Sequence, residues 1–175
     1  MDNFTTMSID HFFSRVWRII SLIGLGVSLL FIYRGLPDPT AVHFGETGRG
    51  DGFLPKEEIF YLTAALVTIL NVLSLLLIKM VEKIPATGLG FLSRTFEDKG
   101  TEVVKKMLVN WLHLFPALIN TFLILVLRTL LLLNDQRTYN QDFSYVPYVG
   151  LAFFLIWLIY LPTRLLTIEK FKEEE

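Results

Sequence analysis

The chain contains no cysteine, which excludes disulfides, thiolate metal sites, iron–sulfur ligation and cysteine nucleophiles together. Histidine is scarce: only His11, His43 and His113 occur. The topology read below sets them on the inner side, in an outer loop and inside the membrane, so no single ion is expected to bind all three. A haem between helices needs two axial ligands within the membrane, and only His113 is placed there; neither metal nor cofactor is expected. Gly-x-Ser-x-Gly, a Walker loop and His-Glu-x-x-His are missing, as is any Ser/His/Asp set that the topology would bring together, so the expectation is a protein that is not an enzyme. Basic character is missing too. The 16 Lys and Arg are outnumbered by 17 Asp and Glu, for a net charge of -1. They are scattered along the chain, which leaves no field for nucleic acid.

Apolar residues are what the chain has in excess. Its 175 residues are 53% hydrophobic and 19% charged, with a mean hydropathy of +0.51, above the roughly 45–50% apolar content of a soluble domain. Four segments, 16–33, 59–78, 111–133 and 146–166, reach the length of about 20 residues that crosses hydrocarbon. Hydrocarbon forbids unsatisfied backbone, and no segment alternates with the period of a barrel strand, so all four are read as helices. The expected fold is all-α: one four-helix transmembrane domain over residues 1–175. The first fifteen residues carry acids and aromatics, and no Ala-x-Ala site closes the first span, which is therefore read as a retained helix and not a signal peptide.

Orientation follows from Lys and Arg. Arg15, Arg18, Lys79, Lys83, Arg94, Lys99, Lys105, Lys106, Arg164, Lys170 and Lys172 fall on one side, and Arg34, Arg49, Lys56 and Arg137 on the other. This bias predicts both termini in the cytoplasm and the loop between the first two helices outside. The third helix is expected to start near Glu97 or Thr101, with Thr101 as its cap and Gly100 marking the preceding turn. Phe91, Leu92 and Phe96, near Arg94 and Lys99, form either an interfacial piece on the headgroups or an ordered loop packed on neighbouring helices.

No Asp or Glu lies within a span, which argues against an ion pump, and the lack of a pair of broken helices argues against a transporter. The third span is nevertheless polar. Asn110, His113 and Asn120 share a face on which Pro116 also sits, and Pro116 is predicted to kink the helix. Two readings stay open. Asn120 and Asn71, both near mid-membrane, hydrogen-bond across helices at about 0.6–2 kcal/mol each and glue the bundle; or the face is a ligand site or a proton relay through His113. Arg128 is read as the one full charge within a span. It lies about 8 Å by helix rise from the helix end at Leu133, and either snorkels to the outer headgroups or turns inward to grip an anion. Gly24 and Ser28 form a small-xxx-small pair that suits close helix packing. The fourth span is bulky all round, with Tyr148, Trp157 and Tyr160 as interface anchors, and is expected to pack on another protein.

The loop LPDPTAVHFGETGRGDGFLPK, residues 36–56, is read as folded. Pro37 and Pro39 stiffen the exit from the first helix, while Gly45, Gly48, Gly50 and Gly52 allow positive φ in successive turns. Pro55 before Lys56, Glu57 and Glu58 suits a helix start. Asp38, His43 and Asp51 either close the loop by hydrogen bonds or form, with Phe44 and Lys56, a recognition surface for a peptide or partner. Leu36, Pro37, His43, Phe44, Gly48, Asp51, Gly52 and Lys56 resemble the L-P-x(5)-H-F-x(3)-G-x-x-D-G-x(3)-K signature of a bacterial family of integral-membrane domains of unknown function. That family also supplies the N-terminal part of the immunity proteins against the sporulation-delaying toxin. The resemblance covers about residues 18–77; residues 101–166 carry no recognised motif. It implies a bacterial inner-membrane protein and, for the immunity members, toxin binding or signalling. The expected function is that of an accessory subunit in a larger inner-membrane complex, acting through protein contacts, with a toxin-immunity or signalling receptor as the alternative. Its expected partners are the bilayer, other membrane subunits and a lipid between helices.

Overall fold

The computed structural model describes residues 2–45, 48–85, 98–139 and 141–173. In chain order they form α1 (Asp2–Gly35), β1 (Thr40–Phe44), β2 (Gly50–Leu54), α2 (Lys56–Lys83), α3 (Asp98–Leu133) and α4 (Val146–Glu173). Within the helices, Ile9–Gly35, Lys56–Lys83, Glu102–Leu133 and Val146–Leu166 are long and apolar enough to cross a membrane. The chain is a multi-pass helical membrane protein.

All four helices run past the apolar segments, α1 and α3 furthest. Nothing between Asp2 and Val16 breaks a helix, so α1 continues upstream of its apolar run. Gly100 and Thr101 lie inside the first turn of α3, not before it; one glycine costs only about 1 kcal/mol in a helix, which the long run behind it absorbs. Residues 91–96 lie outside the described residues. α3 continues as helix through Pro116, which is fully buried.

α3 is the hub. It packs along α1, α2 and α4, whereas α1 and α2 scarcely touch each other. The buried positions of α1, Ser14, Arg18, Ser21, Leu25, Leu29 and Ile32, recur at helical steps of three and four and form one stripe. That stripe is polar in its first half and apolar in its second. The apolar half joins Leu36, Ile59, Val67 and Leu127 in the core, and a Cβ at Gly24 would sit 3.4 Å from Ile124. α4 meets α3 along an aromatic seam. The indoles of Trp111 and Trp157 stack 4.2 Å apart at 13°, and each Nε1–H donates to the other's backbone carbonyl, at 2.7 and 3.1 Å. Trp157, expected as an interface anchor, is thus part of the seam between helices because its N–H finds a protein carbonyl; Tyr148 points outward, 70% exposed.

Asp10 of α1 pairs with Arg164 of α4, and Lys105 Nζ donates to the Ile84 carbonyl at 3.0 Å. These ties gather the start of α1, the end of α4, the end of α2 and the start of α3 at one end of the bundle, called here the inner end. The outer end carries a feature that turn chemistry alone did not reveal, an antiparallel β-hairpin pairing Thr40 with Leu54, Ala41 with Phe53, His43 with Gly52 and Phe44 with Gly50. Among the described residues only Gly48 takes positive φ, at 72°. Gly50 and Gly52 are strand residues, and they serve close approach: a Cβ there would come within 2.5 Å of the Ala41 Cβ and 2.9 Å of the His43 Cβ. Asn134, just past α3, completes the cap. Its Oδ1 accepts from the Ala41 N–H and its Nδ2 donates to the carbonyls of Ala41 and Leu130, each at 2.9 Å, so one side chain occupies the free edge of β1.

Replacing Gly50 by alanine is expected to force the strands apart, since both clashing atoms are fixed to backbone. Trypsin should then cut after Arg49 several-fold faster in detergent-solubilised protein, while Gly26→Ala, where nothing lies within 4 Å, should leave the rate unchanged.

Candidate functional site

The polar half of the α1 stripe faces polar residues of two other helices. α1 supplies His11, Ser14, Arg18 and Ser21, α2 supplies Asn71 and Ser74, and α3 supplies Asn110, His113 and Asn120; all but the half-buried His11 are buried. Arg18 is the centre, with 6% of its surface exposed. Its Nη1 donates to His113 Nδ1 at 3.2 Å and its Nη2 to the Asn71 backbone carbonyl at 2.7 Å. One guanidinium therefore bridges three helices.

These bonds settle protonation by elimination. Arginine has no acceptor and keeps its proton, so Nδ1 of His113 must offer a lone pair and its proton sits on Nε2. His11 Nδ1 lies 2.6 Å from Asn110 Oδ1, an acceptor, so there the proton is on Nδ1. The two imidazoles meet edge to face with centroids 6.5 Å apart. Deeper in, Asn71 Nδ2 donates to Val67 O at 3.0 Å and to Asn120 Oδ1 at 3.2 Å, and Asn120 Nδ2 reaches Ser21 Oγ at 3.5 Å. The expected Asn71–Asn120 bond across helices is present. Asn71 Oδ1 is left without a partner among the described residues.

Three expectations need correction. Arg18, counted with the flanking charges although the first apolar segment contains it, is inside the bundle, on the buried stripe of α1. Arg128 is consequently not the one charge within a span; it lies on the exposed side of α3, the position that snorkelling requires, and does not turn inward. His11 and His113, assigned to separate compartments, are neighbours. Even so, the described residues hold no group of three or more His, Asp or Glu that could bind a metal ion.

The cluster stops halfway. Beyond Asn120 and Ser21 the interior is the dry core of Leu25, Leu29, Ile32, Val67 and Leu127, so the polar chain runs from the inner end to mid-bundle without an outlet. No carboxylate joins it among the described residues, and Arg18 is held by neutral acceptors alone.

The hairpin residues form a separate constellation at the opposite end. His43 and Asp51 pair across the strands with side chains 74% and 53% exposed, an arrangement worth about 0–1 kcal/mol. Asp38 Oδ1 accepts from the Lys56 N–H at 3.4 Å, capping α2 from outside, and Lys56 Nζ sits 5.4 Å from the Tyr33 ring centroid. Phe44 is half-buried opposite Gly50. These bonds close the loop upon itself.

No protein family, no curated protein and no solved structure matches the chain. Fold and site together define a class: a helical multi-pass membrane protein with a polar inner half, an apolar outer half and a hairpin cap.

A double-mutant cycle tests the Arg18–His113 contact. Arg18→Met and His113→Leu should each destabilise, and their coupling should be about 1.5–3 kcal/mol, the range for a hydrogen bond to a charged group. The double variant should be more stable than His113→Leu alone, because that single change strands a buried cation; unfolding in bicelles measures both.

Proposed function

We propose that the chain is a non-enzymatic subunit of a larger assembly in a bacterial inner membrane, working through contacts of its helices with partner proteins. The observation that carries this reading is α4. It touches the bundle along one seam, and none of its most apolar 18-residue window is buried. Tyr148, Leu151, Leu155, Leu158 and Ile159 are exposed, so a bulky helix fastened by one face keeps most of its circumference for another surface. Aromatic side chains are favoured in such contacts. The buried cluster supports the same reading, since its members bond chiefly to one another. The cleft beside Gly150, between Phe115, Phe122, Phe153 and Trp157, is apolar and fits a lipid chain better than a polar substrate. The excess of Lys and Arg at the inner end argues for placing that end in the cytoplasm.

A second reading, a toxin-immunity or signalling receptor, draws support from the ordered hairpin that displays His43, Asp51 and Phe53 at the outer end.

Extraction in mild detergent followed by native sizing separates the chain from its assembly. The expected particle is well above the 20.2 kDa of one chain and carries reproducible partners by mass spectrometry; a monodisperse monomer or homodimer overturns the subunit reading. For the receptor reading, cells lacking the chain should die faster when exposed to peptide toxins of neighbouring strains, and unchanged survival removes it.

A further inference from the structure

α1 and α2 are tied at the outer end by the hairpin, which Asn134 fastens to α3, yet along their length they scarcely meet. In the inner half the bridge between them is Arg18, which leaves α1, takes the Asn71 carbonyl of α2 with Nη2 and leans on His113 of α3 with Nη1. We propose that this bridge is a proton-operated latch: neutral His113 holds Arg18 in place, and protonated His113 releases it, letting the inner ends of α1 and α2 part.

The geometry makes the two states exclusive. The Arg18 contact uses the Nδ1 lone pair, and a proton on that nitrogen turns the acceptor into a donor facing a donor. The charged or titratable groups acting on His113 are Arg18, Arg15 and His11, all from α1. α2 presents Asn71 and Ser74, which do not titrate, and α3 adds Asn110. Arg164 of α4 is engaged with Asp10. With no carboxylate in the cluster among the described residues, a second positive charge beside the guanidinium has nothing to offset it in a low-dielectric interior, where repulsion is strong. A proton reaches His113 from the inner end past His11, whose ring lies edge-on to it; the apolar core bars the outer route. The latch is independent of the subunit reading, since it concerns helices within one chain.

The lack of native cysteine makes the test direct. Phe12→Cys on α1 and Met80→Cys on α2, both exposed, carry spin labels on the full chain in lipid nanodiscs. Distances are read at pH about 8 and about 3, an interval that reaches well below the ordinary histidine value of about 6.5, as a second charge beside an unshielded guanidinium requires. The expected result is a displacement of the distance distribution by on the order of 2 Å or more, the scale of helix shifts in switching proteins. It should vanish in His113→Gln, whose amide oxygen accepts from Arg18 without taking a proton, and persist in His11→Gln. Identical distributions at both pH values overturn the latch, as does a displacement that survives His113→Gln or disappears in His11→Gln. If His113→Gln does not fold, nitrogen NMR of the labelled histidines replaces it: Nδ1 of His113 must gain a proton over the same pH interval as the distance change, and a distance change without that titration overturns the proposal.

Discussion

A guanidinium cannot shed its charge, and in the interior of this bundle that constraint governs much else. Arg18 sits where no carboxylate is within reach among the described residues, so it must be surrounded by neutral acceptors drawn from more than one helix. Asn71 offers a backbone carbonyl and His113 a ring nitrogen. Each acceptor fixes something beyond itself: the first holds α2 to α1 where the two do not otherwise pack, and the second sets the tautomer of a buried histidine. Moving a bare charge into low dielectric costs several kcal/mol even after relaxation. The polar neighbours at Ser14, Ser21, Asn110 and Asn120 are what make the position tolerable, and they divide the bundle into a polar inner half and a dry outer half.

α3 can serve both halves because its sequence changes along its length. Asn110, His113 and Asn120 occupy the inner part of its buried face, and Leu127 with Leu131 occupies the outer part, where Leu131 abuts Gly35 of α1 at 3.0 Å from an added Cβ. The opposite side of α3 holds the aromatic seam to α4. A hub helix is expected to be buried on several sides, and α3 contributes Asn110, His113, Asn120 and Thr129 to the buried polar residues; in a membrane such residues gain by finding partners on other helices and lose by facing lipid. The polarity of α3 and its central place are thus one fact seen twice.

Much of this was legible in the sequence. Four apolar runs gave four helices, the shared face of Asn110, His113 and Asn120 gave the polar side of α3, and the bond between Asn71 and Asn120 followed from their common depth. Arg18 lies within the first apolar run, and its burial was missed because the charge count set it with the flanks; His11 was missed for a physical reason. Hydropathy marks where lipid begins, whereas a helix continues until a breaker stops it, and the upstream part of α1 has none. The readable signal was the spacing of His11, Ser14, Arg18 and Ser21, a polar stripe in register with Leu25, Leu29 and Ile32. In the hairpin the glycines were visible but their purpose was not. A positive φ and a close strand contact both demand glycine, and only the pairing of Gly50 with Phe44 and Gly52 with His43 separates the two.

The asymmetry between the ends has a mechanical meaning. At the outer end, α1 and α2 are joined by paired strands that Asn134 stitches to α3, and beneath them apolar side chains interlock without directional bonds that a proton could alter. Towards mid-bundle, in the polar half, the same two helices are joined through one charged side chain whose bonds depend on a titratable neighbour. Dispersion contacts hold over a range of pH, whereas a hydrogen bond to an imidazole lone pair exists only while that lone pair is free. A bundle built this way is stiff where it is capped and adjustable where it is polar, so a signal arriving at the inner end can move the α1–α2 pair about a fixed outer pivot.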